Sequence, residues 1–307
     1  MSQVRTRRSI STLAAVLVAL CAASAIQAQL EEFPRLPEPS AHCRVTQTLA
    51  LSEVSVDFSR PNLKGREIFG TLVPWGTVWR TGANASTKLE LGEELFIEGN
   101  RIPPGMYSLL SIPGKDRWTI ILNKDTTLWG HYGYDQEKDL LRFEVPTQRG
   151  KDWVETMDIA FTDVSEWAAT MEIRWGEYRI PVRLEVDREA VDARIMADIE
   201  AKLAAADSIE QPVVRAHVYF LAGDYYKESG RDLEKALTLM DQGIEISPVN
   251  YFFLYKSEVL GKLGRYDEAI AASQRGLDLF LEGGNNKEWI YRYEEQIAGW
   301  EEMKGEG

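Results

Sequence analysis

Cysteine is nearly absent: Cys21 and Cys43 are the only two among 307 residues. Histidine is almost as scarce, with only His42, His131 and His217. Basic residues are in deficit too, 35 Lys and Arg against 48 Asp and Glu, for a formal charge of −13. Each shortage excludes something. Three scattered histidines and two distant cysteines give no metal-ligand spacing; His42 and Cys43 are adjacent, and on a strand adjacent side chains point to opposite faces. The acidic balance argues against nucleic acid and anionic membrane surfaces as partners. Enzyme signatures are missing as well: no G-x-S-x-G elbow, nucleotide-binding glycine loop, H-E-x-x-H or C-x-x-C. Neither a cofactor nor a metal is expected.

Long hydrophobic runs are missing except at the N-terminus. There Arg5, Arg7 and Arg8 precede ISTLAAVLVALCAASAI, and small residues give way to QAQLEE. This is the layout of a secretory signal peptide over residues 1–28, with cleavage after Ala25 or Ala28. The expectation is export to the periplasm or beyond, with no membrane-spanning segment left after processing. Loss of three arginines takes the formal charge from −13 to −16. Loss of Cys21 leaves Cys43 alone, so no internal disulfide can form.

What is present divides the chain. Residues 29–40 (QLEEFPRLPEPS) read as a Pro-rich tether. From residue 41 to Asp187 the hydrophobic period is two, as in Val54, Val56, Phe58 and in Ile180, Val182, Leu184, Val186. Turn signals fall at Leu91, Ile112 and Trp175. About ten short strands predict an antiparallel β-sandwich or distorted barrel over 41–187. After Asp187 the period lengthens, with Ile195, Ile199 and Leu203 four residues apart. Six helices are predicted, near 189–206, 211–229, 232–246, 250–263, 266–282 and 286–302.

The helical part, 188–307, repeats itself. Gly230 answers Gly264 at a spacing of 34, and Ala236 answers Ala269 at 33. Tyr219, Gly223, Tyr226 and Pro248 in one copy, and Phe253, Leu260 and Leu279 in the other, resemble the tetratricopeptide repeat. The copies cover about 214–248 and 250–282, and the second carries Ser257 where the pattern wants Gly or Ala. Two repeats are too few to stand alone, so flanking helices are expected to cap them. Such an array offers a surface for a peptide or protein partner, which makes an interaction scaffold one reading of function.

Two segments gather aromatic and basic residues against the acidic background. The first, residues 59–84, holds Arg60, Lys64, Arg66 and Arg80 against Glu67 alone, with Trp75 and Trp79 interleaved. A connection of this length within a compact domain is usually functional. The second, 123–135, packs Trp129, His131, Tyr132 and Tyr134 with Asp125 and Asp135. Guanidinium groups bind carboxylate or phosphate, and aromatic faces stack on sugars, rings or cations.

Together these segments suggest a pocket for an anionic or carbohydrate-like small molecule. Arg80 would clamp the anion and Asn84 add a directed hydrogen bond. Trp79 and Trp129 would offer stacking faces, Arg60, Arg66, Thr81 and Tyr134 would line the site, and Gly82 would act as a hinge. The bland alternative pairs Arg60 or Arg80 with Asp125, Asp135 or Glu90 and buries the tryptophans. A third reading is a hydrolase using His131 with Asp135 or Asp125 as its acid–base pair.

The stretches VTQTLALSEVSVDFSRPNLKGREIFG, LVPWGTVWRTGANAST and PPGMYSLLSIPGKDRWTIILNKDTTLWGHYGYD resemble a bacterial exported family known as domain of unknown function 2911. The likeness covers about residues 40–185, and Trp79 to Asn84 carry its most specific pattern. Trp75 stands where tyrosine is common, and neither His42-Cys43 nor His131 maps onto a family position. The resemblance implies an all-β domain and an envelope address, and no activity.

Overall fold

A computed structural model describes residues 36–284 and 286–306. The expected signal peptide, 1–28, and most of the expected tether, 29–40, lie outside the described residues. The chain forms two compact units that divide between Asp187 and Arg188. Among the described residues no helix is long and apolar enough to cross a membrane.

The first unit contains ten strands: β1 (Ala41–Leu49), β2 (Ser52–Arg60), β3 (Ala83–Leu91), β4 (Leu95–Ile97), β5 (Asn100–Ile102), β6 (Gly105–Ile112), β7 (Arg117–Asn123), β8 (Asp139–Pro146), β9 (Gln148–Thr162) and β10 (Ala168–Glu185). They build a six-stranded sheet in the order β1-β2-β3-β6-β7-β8 and a four-stranded sheet in the order β5-β4-β10-β9. Every pairing is antiparallel. Alternation drives this, since one side chain in two must leave water. Val54, Val56 and Phe58 of β2 and Trp118, Ile120 and Leu122 of β7 join Met171, Ile173, Ile180, Val182 and Leu184 of β10 in one core.

One expected turn is not a turn. Trp175 to Tyr178 lie inside β10, where the register with β9 slips at Gly176. Gly176 takes a left-handed φ of 56°, so the Trp-Gly signal marks a bulge in a strand of 18 residues. A second, smaller apolar cluster sits apart from the main core. Leu110 and Ile121 meet Leu128, Val78 and Tyr134 there, so the β7–β8 connection folds back over β6 and β7.

The second unit is six helices: α1 (Arg188–Ala205), α2 (Pro212–Glu228), α3 (Leu233–Ile246), α4 (Asn250–Lys262), α5 (Tyr266–Gly283) and α6 (Lys287–Glu306). Pro212 opens α2 at its first turn, and the Asp232 carboxylate caps α3 by accepting from the Lys235 N–H at 2.9 Å. Gly230 and Gly264 end α2 and α4 in the left-handed conformation, with φ of 66° and 74°. Small residues bring the paired helices together: a Cβ on Gly223 would lie 2.9 Å from the Ala236 carbonyl oxygen, and one on Gly243 2.9 Å from that of Ala216. Ser257 is buried where its hydroxyl accepts from Trp300 Nε1 at 2.7 Å and lies 2.7 Å from Ser273 Oγ. A hydroxyl therefore replaces the expected Gly or Ala because α6 brings it a partner.

Helix α1 is held to the next pair by Asp192, which accepts from Tyr225 Oη at 2.5 Å and from both terminal nitrogens of Arg231. These bonds, from Arg231 first and Tyr225 second, lower the Asp192 pKa from 3.8 to about 2. A depressed carboxylate pKa stabilises the fold above the unfolded value, and the gain disappears as pH falls through the folded one. The stability of the wild type is therefore expected to fall more steeply between pH 4 and pH 2 than that of Asp192→Asn, followed by denaturant titration of the helical circular dichroism. Parallel pH profiles would show that Asp192 does not couple the helices.

Candidate functional site

Phe69 is the centre of the connection 61–82. Its ring meets Trp118 at 5.0 Å, Tyr178 at 4.7 Å, Trp75 at 5.3 Å, Trp79 at 6.1 Å and Trp175 at 6.2 Å. Tilted and edge-on contacts of this kind add to the burial of large apolar area. Trp79 is 7% exposed and stacks on Trp175 at 5.8 Å with the planes 13° apart. The sequence offered Trp79 as a stacking face; its place is in the core, with one face on Trp175. Its backbone adds an isolated bridge to β6, exchanging both hydrogen bonds with Ser111 at 2.7 and 2.9 Å.

From that anchor the chain runs into a strained turn. Thr81 has a φ of 53° and Asn84 one of 58°, and a β-branched residue in the left-handed region is a genuine outlier. Thr87 holds the turn by donating its N–H to the Arg80 carbonyl at 3.2 Å and its hydroxyl to the Thr81 carbonyl at 2.7 Å. Thr81 Oγ1 lies 2.8 Å from Ser111 Oγ and is fully buried. Gly82, expected to be the hinge, does not adopt a positive φ. It is small because a Cβ there would lie 3.1 Å from both the Ser59 carbonyl oxygen and Thr87 Oγ1.

Beyond Trp79, Arg80 faces a cavity of about 520 Å³, within the usual size of a small-molecule site. Leu72, Val73, Pro74, Val78, Trp79 and Trp175 supply its apolar wall, Arg66 and His131 stand with Arg80, and among the described residues no Asp or Glu lines it. The Arg80 guanidinium has no hydrogen bond or ion pair among the described residues, and its Nε is buried without a partner. Burial holds its pKa below the ordinary value, with Tyr132 partly opposing. Arg66 donates only to backbone carbonyls, Nε to Leu63 at 2.9 Å and Nη2 to Asn62 at 2.7 Å. Gly130 leaves space for Arg80, since a Cβ there would be 3.2 Å from Nη1.

The other expected residues divide. Arg60 is neutralised by Asp158 at 3.0 Å and donates to the Met157 carbonyl, so it belongs to the fold. Tyr134 donates to Asp139 at 2.6 Å and accepts from Arg142, and is likewise committed. Asn84 lines a neighbouring cavity rather than the one Arg80 faces, and Trp129 stands beside it, 66% exposed.

His131 stacks on Tyr132 at 4.9 Å and bonds to neither expected carboxylate. Asp125 accepts from Lys138 at 2.8 Å and from the Thr127 hydroxyl at 2.7 Å, and these bonds hold its pKa far below the usual range. Asp135 caps the short turn at Gln136–Lys138 by accepting from the Glu137 N–H. Among the described residues, no acid–base pair is assembled at His131. Among the described residues, no group of three or more His, Cys, Asp and Glu is placed to hold a metal.

Sequence reasoning passed over Ser59, Thr87 and Gly130, whose roles lie in contacts between distant segments. The turn at 81–84 depends on Gly82 having no side chain. Gly82→Ala is expected to cost about 1–3 kcal/mol by overpacking, measured by denaturant unfolding of the full chain. Unchanged stability would mean that the Ser59 backbone yields freely.

No curated protein and no solved structure matches the chain. The segment that builds both sheets, the aromatic core and the cavity is also the segment with a recognised family pattern: residues 40–184 match the family described as Protein of unknown function (DUF2911).

Proposed function

We propose that this chain is an exported binding protein whose β unit captures a small organic anion, with Arg80 as the clamp. Support comes from one observation above the rest: a half-buried guanidinium with no counter-ion among the described residues faces a cavity that none of their carboxylates lines. The Nε of this cation has lost hydration and gained no partner, which costs stability in the unliganded protein. A carboxylate or phosphate on Arg80 reverses that deficit by charge-assisted, bidentate hydrogen bonds. Arg66 and His131 add donors at the same cavity. The apolar wall selects an anion with a C–H-rich body over a bare inorganic ion.

Export rests on the charge and hydropathy pattern of residues 1–28. The helical unit is read as two tetratricopeptide-like repeats between flanking helices, on the strength of the two glycine-ended helix pairs and their spacing.

The test is a thermal-shift series with benzoate, phenyl phosphate and uncharged benzamide on wild type, Arg80→Gln and Arg80→Met. The two anions are expected to raise the Tm of the wild type and benzamide to leave it unchanged. Both variants lose the response. Arg80→Met without ligand is at least as stable as wild type, because it removes an uncompensated charge. An anion response that survives in Arg80→Gln, or a collapse of Arg80→Met, overturns the proposal.

A further inference from the structure

The second cavity, of about 450 Å³, has a different chemistry. Trp129 offers it an exposed indole, while Asp57, Ser59, Asn84 and His42 supply polar groups. Several of those groups keep capacity for further bonds. Asn84 Nδ2 donates to Ser59 Oγ at 3.2 Å, leaving the Asn84 Oδ1 acceptor and the Ser59 hydroxyl proton without partners among the described residues. Asp57 meets His42 Nε2 at 2.8 Å through one oxygen, and its other oxygen lies 3.9 Å from Arg44. An exposed aromatic face beside hydroxyl and amide groups and the carboxylates of Asp57 and Glu38 suits a sugar ring, whose C–H face stacks while its hydroxyls bond at the edge.

The two cavities are neighbours. Four separate segments each contribute adjacent or next-adjacent residues to both: Ser40 and Pro39, Pro61 and Ser59, Ala83 and Asn84, His131 and Trp129, naming the first-cavity residue first. The segments are tied together at this point. Gly130 donates its N–H to the Asn84 carbonyl at 3.0 Å, Ser86 donates to the Leu128 carbonyl at 3.1 Å, and the Pro39 carbonyl accepts from Asn62 Nδ2 at 3.4 Å. One rim therefore carries a cationic compartment and, next to it, a compartment with an indole platform.

We infer that the two compartments form a bipartite site for an acidic oligosaccharide. A sugar unit bearing a carboxylate or phosphate seats its charge on Arg80, and the adjoining sugar unit stacks on Trp129 with its hydroxyls on Asn84, Ser59 and Asp57. The inference rests on the anion-binding reading and names its ligand class. Binding needs no covalent step.

The experiment is isothermal titration of the full chain with tetragalacturonate, monomeric galacturonate and neutral maltotetraose. Wild type is expected to bind tetragalacturonate at least tenfold more tightly than galacturonate, and maltotetraose more weakly than either. Trp129→Ala and Asn84→Gly remove the tetramer's advantage and leave the galacturonate affinity unchanged. Trp129 is exposed, and glycine accommodates the left-handed backbone at position 84, so both variants keep the fold. Equal affinity for tetramer and monomer, or a tetramer affinity that ignores Trp129→Ala, overturns the bipartite site. If benzoate binding still depends on Arg80 in that case, the anion site stands by itself. If no anion responds to Arg80→Gln, both readings fall together.

Discussion

The packing of Phe69 among five aromatic rings is the constraint on which the β unit's site depends. The connection 61–82 has no regular structure, and a free loop of that length could not hold a side chain in place. Inserting Phe69 between Trp118 of β7 and Trp175 of β10 ties the loop to both sheets. Trp79, stacked on Trp175 and bridged to Ser111, then fixes the backbone one residue before Arg80. The same tryptophans that fill the end of the sandwich form the apolar wall of the cavity. The core and the site are thus one construction, and their aromatic composition serves both.

Electrostatics separates cations paired with carboxylates from Arg80. Lys227 is almost wholly buried in the helical unit, with Asp224 at 2.9 Å, Glu228 at 3.0 Å and Glu258 at 2.6 Å around its Nζ. Those bonds hold it charged despite the desolvation. Arg60 and Arg174 share Asp158 in the β unit. Among the described residues, no carboxylate pairs with Arg80. A half-buried guanidinium whose Nε lacks a partner is the feature that the proposed anion would satisfy.

Much of the fold was legible because it follows periodicity. The change of period at Asp187 coincides with the division between units, and the six helices lie within a few residues of the expected spans. The Trp175-Gly176 signal was misread because a bulge and a turn both ask for a glycine with positive φ; only pairing with β9 tells them apart. In the site, Arg80, Arg66 and Trp129 stood out by composition against an acidic background. What composition could not separate was Trp79 from Trp129, one buried and one exposed. That difference comes from which ring Trp175 reaches across the sandwich. The proposed pairing of His131 with Asp125 or Asp135 failed for a similar reason, since Lys138 and the Gln136–Lys138 turn, both local, reach those carboxylates first.

The strained segment explains why Arg80 and Asn84 do not share a pocket. Residues four apart on a regular strand lie on the same face, and an unbroken β3 would have aimed both side chains one way. Left-handed residues at Thr81 and Asn84 break that rule, at a cost of roughly 1–3 kcal/mol for each such position. Hydrogen bonds from Thr87, Ser111 and Gly130 hold the distortion in place. The result sends Arg80 to one side of the rim and Asn84 to the other, each with its own aromatic neighbour. The proposed bipartite ligand would span that rim, with its charge on Arg80 and its neighbouring ring on Trp129 beside Asn84.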